Sequence, residues 1–390
     1  MRSLCSFLTL VAAVLVAASA TQPARADVLY IGDGGDNLVK RFDVATGTLD
    51  AGFTTSGLLG PNGMVIDGDR LIVANQNVNT HLSGEVLAFD KATGASLGPV
   101  IAESDKNAPY VPRGIVLGPG GDDLFVGNFT TAQGKSKGSL LRYDLDSGAL
   151  LADDKAKGFK NHDFHPRGVV FGPDGLLYVA SYTNLSTGLG GAVLRFNPDG
   201  SFVDVFVEDE GGFGQLNRPE GLVFGPDDGN LYVSSFRAAP GDVDGTRIYD
   251  GATGEFIRQI NYWDGVTAPR AFAQALLFGP NGKLFVPITN TGEVRAYDVT
   301  DDSFMTFIAA GTDLINPLFM TFGQTNPSTL AYEGMAAAVG AIAVPEPASI
   351  ALAGLGMLAV FTCAGTARRR PSSCSREAAC RVGRLTDNMA

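Results

Sequence analysis

The chain has 390 residues, 45% hydrophobic and 18% charged, with 41 Asp and Glu against 29 Lys and Arg for a net charge of −12. Charge of this sign excludes nucleic acid and anionic lipid surfaces as partners drawn by the net field, and leaves neutral glycans, cations or solubility as its uses. The distribution is uneven, because residues 27–334 carry 38 acidic and 21 basic side chains, a net of −17, while both ends are positive.

In chain order the first element is an export signal. Arg2 supplies a positive start, residues 8–18 are apolar, and Ala24-Arg25-Ala26 is a small-x-small cleavage site, so residues 1–26 read as a signal peptide. The four cysteines, Cys5, Cys363, Cys374 and Cys380, all lie outside 27–343. The exported body therefore has no disulfide and no thiolate chemistry, and about 310 residues bury an adequate core without them.

Residues 27–334 are repetitive. PRGIVLGPGGDDLFVGNF from Pro112 recurs as PRGVVFGPDGLLYVASY from Pro166, PEGLVFGPDDGNLYVSSF from Pro219 and AQALLFGPNGKLFVPIT from Ala273, with a divergent copy from Pro61. The Gly-Pro pairs at Gly118, Gly172, Gly225 and Gly279 are 54, 53 and 54 residues apart, a period that implies a stacked or closed array. Each unit reads as four short strands, a to d, joined by Gly/Pro/Asp turns and by D-x-x-T/S-G turns at Asp43, Asp90, Asp144 and Asp250. Inner strands starting near Gly63, Gly114, Gly168, Gly221, Ala275 and Phe319 make six units. The first piece of the body has strands b, c and d. The last piece has a strand a and a weak strand b at 329–332, so the two ends complete one blade. The expected fold is an all-β, six-bladed β-propeller, with seven blades the lesser alternative. Residues 335–343 form a spacer expected to leave from the propeller rim.

One face should carry function. The b-to-c loops 76–83, 129–137, 182–190 and 236–244 are longer than hairpins require, and Tyr110, Phe159, Phe164, Phe213, Tyr262 and Trp263, the single tryptophan, come from d-to-a loops on the same side. Such rings either bind sugars or peptides or cover blade junctions. Two rings of equivalent positions should meet at the channel mouth. Asn62, Arg113, Arg167, Glu220, Gln274 and Leu318 precede strand a; Asp33, Asn75, Asn128, Ser181, Ser235 and Ile288 end strand b. Arg113 and Arg167 suit a carboxylate or phosphate, while Arg167 and Glu220 would equally pair to plug the channel. Arg113, Arg167, Gln274, Asn75, Asn128, Tyr262 and Trp263 are the candidate ligand contacts. Catalytic candidates are Glu220, His162 and His165, the histidines in Asn161-His162-Asp163-Phe164-His165, against which stands the reading of ordinary surface histidines. Asp242 and Asp244, or Asp33 and Asp36, hint at calcium without its full spacing.

The P-x-G-φ-x-x-G-P-x-G-x-L-Y-V pattern, φ apolar, resembles the NHL, gluconolactonase and streptogramin-lyase group of propellers over most of 27–323. That resemblance implies a divalent cation held by Glu, Asn and Asp, for which Asn62 and Glu220 are the matching candidates here. The third carboxylate is missing, and Arg113 and Arg167 would repel a metal.

The tail runs Val344-Pro345-Glu346-Pro347, an uncharged stretch 348–367, then Arg368-Arg369-Arg370. Twenty helical residues span roughly 30 Å, the thickness of a bilayer core, and the arginines place the far end in the cytoplasm. Residues 344–370 resemble the PEP-CTERM sorting signal of bacterial envelope proteins, which implies an exosortase-type processing enzyme as partner. Residues 371–390 extend beyond where such signals stop. Two functions follow as expectations: an envelope-anchored propeller binding an extracellular polysaccharide, peptide or envelope protein, or a metal-dependent, lactonase-like hydrolase or lyase at the channel mouth.

Overall fold

A computed structural model describes residues 27–131, 137–160, 162–187, 189–208, 214–263 and 270–334. The signal peptide expected over 1–26, Phe213, and the tail from 335 onward with its expected membrane span lie outside the described residues. Among the described residues no helix is long and apolar enough to cross a membrane.

Six antiparallel sheets form the body, five with four strands and one with three. In the third blade, His165–Phe171, Leu177–Tyr182, Gly191–Phe196 and Phe202–Val207 follow one another as strands a to d. The closing sheet pairs Val28–Asp33 with Leu38–Asp43 on one side and with Pro317–Phe322 on the other, so the last inner strand meets the first strand of the body. All six sheets thus fall within 28–322, and the ring closes between its first and last strands. Strand d of this blade is reduced to a single bridge, Phe42 to Leu49, because Asp50 turns the chain by accepting the Gly52 N–H at 2.8 Å. The D-x-x-T/S-G turns are as expected: Asp43, Asp90, Asp144 and Asp250 each accept the N–H three residues on, at 2.8–2.9 Å.

The P-x-G motif has a geometric reason. The ladder between strands a and b shifts register immediately after the proline, between Pro61 and Met64, Pro112 and Ile115, and Pro166 and Val169. This bulge leaves the x-Gly pair out of its own ladder. At Gly168 the freed N–H donates instead to the Glu220 carbonyl of the next blade, at 2.8 Å. Inner strands therefore touch through backbone, a contact only glycine permits.

Between blades the core is aromatic. Phe125 meets Phe171, Tyr178 meets Phe224, Tyr232 meets Phe278 and Phe285 meets Phe322, all edge to face with centroids 5.0–5.4 Å apart. Each pair joins strand b of one blade to strand a of the next, the arrangement their quadrupoles favour.

Residues 324–333 depart from the expected weak strand b at 329–332. They form a tight turn, with Thr325 bridged to Tyr332 and the Leu330 N–H donating to Asn326 O at 3.0 Å. The turn folds inward across the face of the a-to-b hairpins, where Leu117 and Phe171 donate their N–H groups to the carbonyls of Pro327 and Ser328 at 2.9 and 3.0 Å. Leu330, in the left-handed region at φ 55°, packs against four of the five apolar clusters and lines the axial cavity with Gly114, Gly168 and Gly221. The channel is closed at this end. Tyr332 lies beside Asp27, so the first and last described residues of the body are neighbours; the spacer 335–343, expected to leave from the rim, lies outside the described residues.

Candidate binding site at the channel mouth

The ring that ends strand b is a set of latches. Asn75 Oδ1 accepts the Leu59 N–H at 2.7 Å, Asn128 Oδ1 that of Val111 at 2.9 Å, Ser181 that of His165 at 3.0 Å and Ser235 that of Asn217 at 3.1 Å. Asp33 does the same for Ile315 and Asn316. Each clamps the d-to-a loop just before strand a begins. Asn75 and Asn128, candidate ligand contacts by sequence, are thereby committed to the backbone. Asn128→Ala strands the Val111 donor and is expected to cost about 1–3 kcal/mol in urea unfolding.

The ring that precedes strand a does converge on the mouth. Glu220 is wholly buried and its Oε1 accepts short hydrogen bonds from Arg167 Nη2 and the Tyr182 hydroxyl, while Arg167 also donates to Tyr182 at 2.8 Å. The pairing alternative for Arg167 and Glu220 is what the structure shows. Arg113 reaches from the second blade to Gln274 of the opposite, fifth blade at 3.4 Å and so spans the mouth. Burial opposes the charge on Arg167, but Glu220 and Tyr182 hold its pKa above the ordinary value. For Arg113, burial and then the neighbouring Arg167 push the guanidinium down to about 9. Burial raises the Tyr182 phenol. Asn62 Oδ1 and Glu220 Oε2 are buried oxygens with no donor.

The two histidines separate. His162 stacks on Phe159 at 5.0 Å, whereas His165 is buried against Phe129, its Nδ1–H donating to the Phe129 carbonyl at 2.9 Å. They form no paired centre, and among the described residues no group of three or more His, Cys, Asp or Glu is placed to share a metal ion. Burial lowers the His165 pKa. A group that resists protonation in the fold costs stability as pH falls below its unfolded value of about 6.5. Thermal stability should therefore fall from pH 7.5 to 5.5, and the fall should be smaller in His165→Gln, as calorimetry at both pH values would show.

The loop aromatics also divide. Phe159, Phe164 and Tyr262 are buried; Tyr262 is 3% exposed, shares a 2.5 Å hydrogen bond with Thr246 and forms part of the wall of the cleft beside Trp263. Trp263, 40% exposed, lines a cleft with Asp242, Asp244 and Arg270. The calcium hints are otherwise engaged. Asp244 accepts the N–H groups of Arg237 and Phe272, and Asp242 that of Ala238.

What sequence reasoning missed is the aromatic packing of the arginines. Arg113 and Arg167 lie 5.6 and 4.6 Å from the Phe129 ring, Arg167 also 4.4 Å from Tyr182, and Arg218 and Arg270 both 5.7 Å from Phe236. Phe129 and Phe236 follow the last residue of strand b, and Tyr182 is that last residue in its blade. That periodic position was the available signal.

A family model for the PEP-CTERM protein-sorting motif matches residues 343–370. No curated protein sequence matches the chain. Among solved structures, one chain of a nidogen/laminin complex is 16% identical over 76% of this chain and 97% of its own, with a TM-score of 0.53. Hydrazine synthase of Kuenenia stuttgartiensis is 17% identical over 69% and 72%, with a TM-score of 0.51. A virginiamycin B lyase from Staphylococcus aureus, with quinupristin, is 14% identical over 76% and 87%, with a TM-score of 0.47. At such identities the likeness is one of fold. The chain is thus a six-bladed β-propeller followed by a PEP-CTERM sorting motif.

Proposed function

We propose that this is an exported, envelope-anchored propeller that binds an envelope partner, a glycan or a peptide, through its long-loop face. One observation carries the reading: Leu330 blocks the channel on the hairpin face, so the polar ring of Arg113, Arg167, Glu220 and Gln274 belongs to the opposite, long-loop face. The tail, processed by an exosortase-type enzyme, would hold the body at the cell surface. Trp263 is the exposed aromatic of that face among the described residues of the d-to-a loops. Trp263→Ala in 27–334 is expected to reduce retention on the producing cell's extracellular polysaccharide about tenfold in sedimentation, and unchanged retention would count against this face.

A second reading, a cation-dependent hydrolase or lyase at the mouth, draws on the unpartnered oxygens of Asn62 and Glu220. It requires stoichiometric divalent metal in the purified protein. Absence of metal, with no rise in melting temperature on adding calcium, magnesium or zinc, would dismiss it.

A further inference from the structure

Arginines from four consecutive blades gather at the mouth of a protein whose net charge is −12. Arg113, Arg167, Arg218 and Arg270 come from blades two to five, the first two from the start of strand a and the last two from the segment leading into it. Aromatic rings stand beside all four, joined through Phe129, Tyr182 and Phe236. Charge repulsion within the group is evident, since burial and then Arg270 lower the Arg218 pKa. Glu220 neutralises one guanidinium and Asp244, 3.3 Å from Arg270, another.

Five buried N–H sites in this group have no acceptor: Nε of each of the four arginines and Nη1 of Arg167. Arg167 is itself 94% buried. Buried donors are nearly always satisfied, so an unpartnered set within one group of arginines points to a ligand acceptor as the missing partner. The rings cover guanidinium surface and leave the edges, whose fork geometry suits an oxyanion, and a singly charged carboxylate meets less repulsion from the acidic body than a doubly charged phosphate. Trp263, beside Arg270 in the same cleft, adds a flat apolar surface suited to a sugar ring. The acidic body limits the number of charges that the ligand can carry, because a polyanion would be repelled beyond the mouth.

We infer that the mouth binds a largely neutral glycan through a single carboxylated sugar, the carboxylate lying against Arg113 and Arg167 and the chain running toward Arg270 and Trp263. This deepens the binding reading above and rests on it.

Because Trp263 is the only tryptophan, its emission reports binding directly. Protein 27–334 would be titrated with an aldobiouronic acid, with the same disaccharide after reduction of its carboxyl to an alcohol, with a phosphorylated disaccharide and with a glutamate-terminated dipeptide. The carboxylated sugar is expected to shift the emission and to bind at least tenfold more tightly than the other three. Arg113→Gln, checked for an unchanged circular dichroism spectrum, should remove that preference. Equal binding of the acid and its reduced form would overturn the carboxylate assignment while leaving the long-loop face as the binding face. Tighter binding of the dipeptide or the phosphate would overturn the ligand class. No binding of any probe, by emission or calorimetry, would overturn the inference itself, and the retention assay with Trp263→Ala would then decide the binding face separately.

Discussion

Gly168→Ala is expected to destabilise the propeller by about 3 kcal/mol or more, the upper part of the range for overpacking. A Cβ at this position would stand 2.4 Å from the Glu220 carbonyl oxygen and 3.0 Å from Gly221 Cα. Leu222 Cδ2 would also stand at 2.8 Å, but the nearest obstacle is backbone of the neighbouring inner strand and cannot rotate away. The same clash recurs at Gly63 against the Arg113 carbonyl, at 2.4 Å, and at Gly114 against that of Arg167, at 2.7 Å. Gly175→Ala makes the control. It sits at a hairpin tip with φ 79° and open space around it, so only the left-handed conformation is penalised, at about 1–2 kcal/mol. Urea unfolding of both variants should rank them in that order, and equal costs would mean that the inner strands are not held in contact.

Glu220→Ala has the second large effect. It leaves Arg167 buried without a counter-charge, and removing one partner of a buried pair costs about 3–5 kcal/mol. Tyr182→Phe removes one hydrogen bond to the carboxylate and should cost about 1 kcal/mol. The double variant Arg167→Met with Glu220→Leu should recover much of the loss, because no charge is then left buried. Chemical denaturation of the three variants distinguishes a mutual pair from two independent plugs; a loss below about 1 kcal/mol in Glu220→Ala would show that water reaches Arg167.

Much of the fold was legible because the repeat itself encodes contacts between blades. The regular Gly-Pro spacing shows the period and the six inner-strand starts the blade count, and the aromatic that ends strand a in several blades, with the Tyr or Phe of strand b, forms the junction pairs. The proline and glycine of P-x-G mark the bulge, but its purpose, the backbone contact between inner strands, appears only when neighbouring blades are seen together. Residues 324–333 were misread because Ala331 and Tyr332 suit a strand, whereas Pro327, Ser328 and Leu330 find partners at the axis that no local pattern specifies. The site was half legible. Aligned repeats brought Arg113, Arg167, Glu220 and Gln274 together, since equivalent positions in a closed ring meet. They could not tell which ring faces the channel and which clamps loops: Asn75 and Asn128 have the same short polar character in either role. Arg218 and Arg270 were overlooked because they precede the aligned position by two and four residues.

Hydrogen exchange of 27–334, alone and with the extracellular polysaccharide of the producing cell, most directly tests a binding mouth on the long-loop face. Slowed exchange is expected in 76–83 and 236–244 and around Arg113 and Arg167, with 324–333 unchanged. Slowing confined to 324–333 or to the outer strands, or none at saturating polysaccharide, would contradict it.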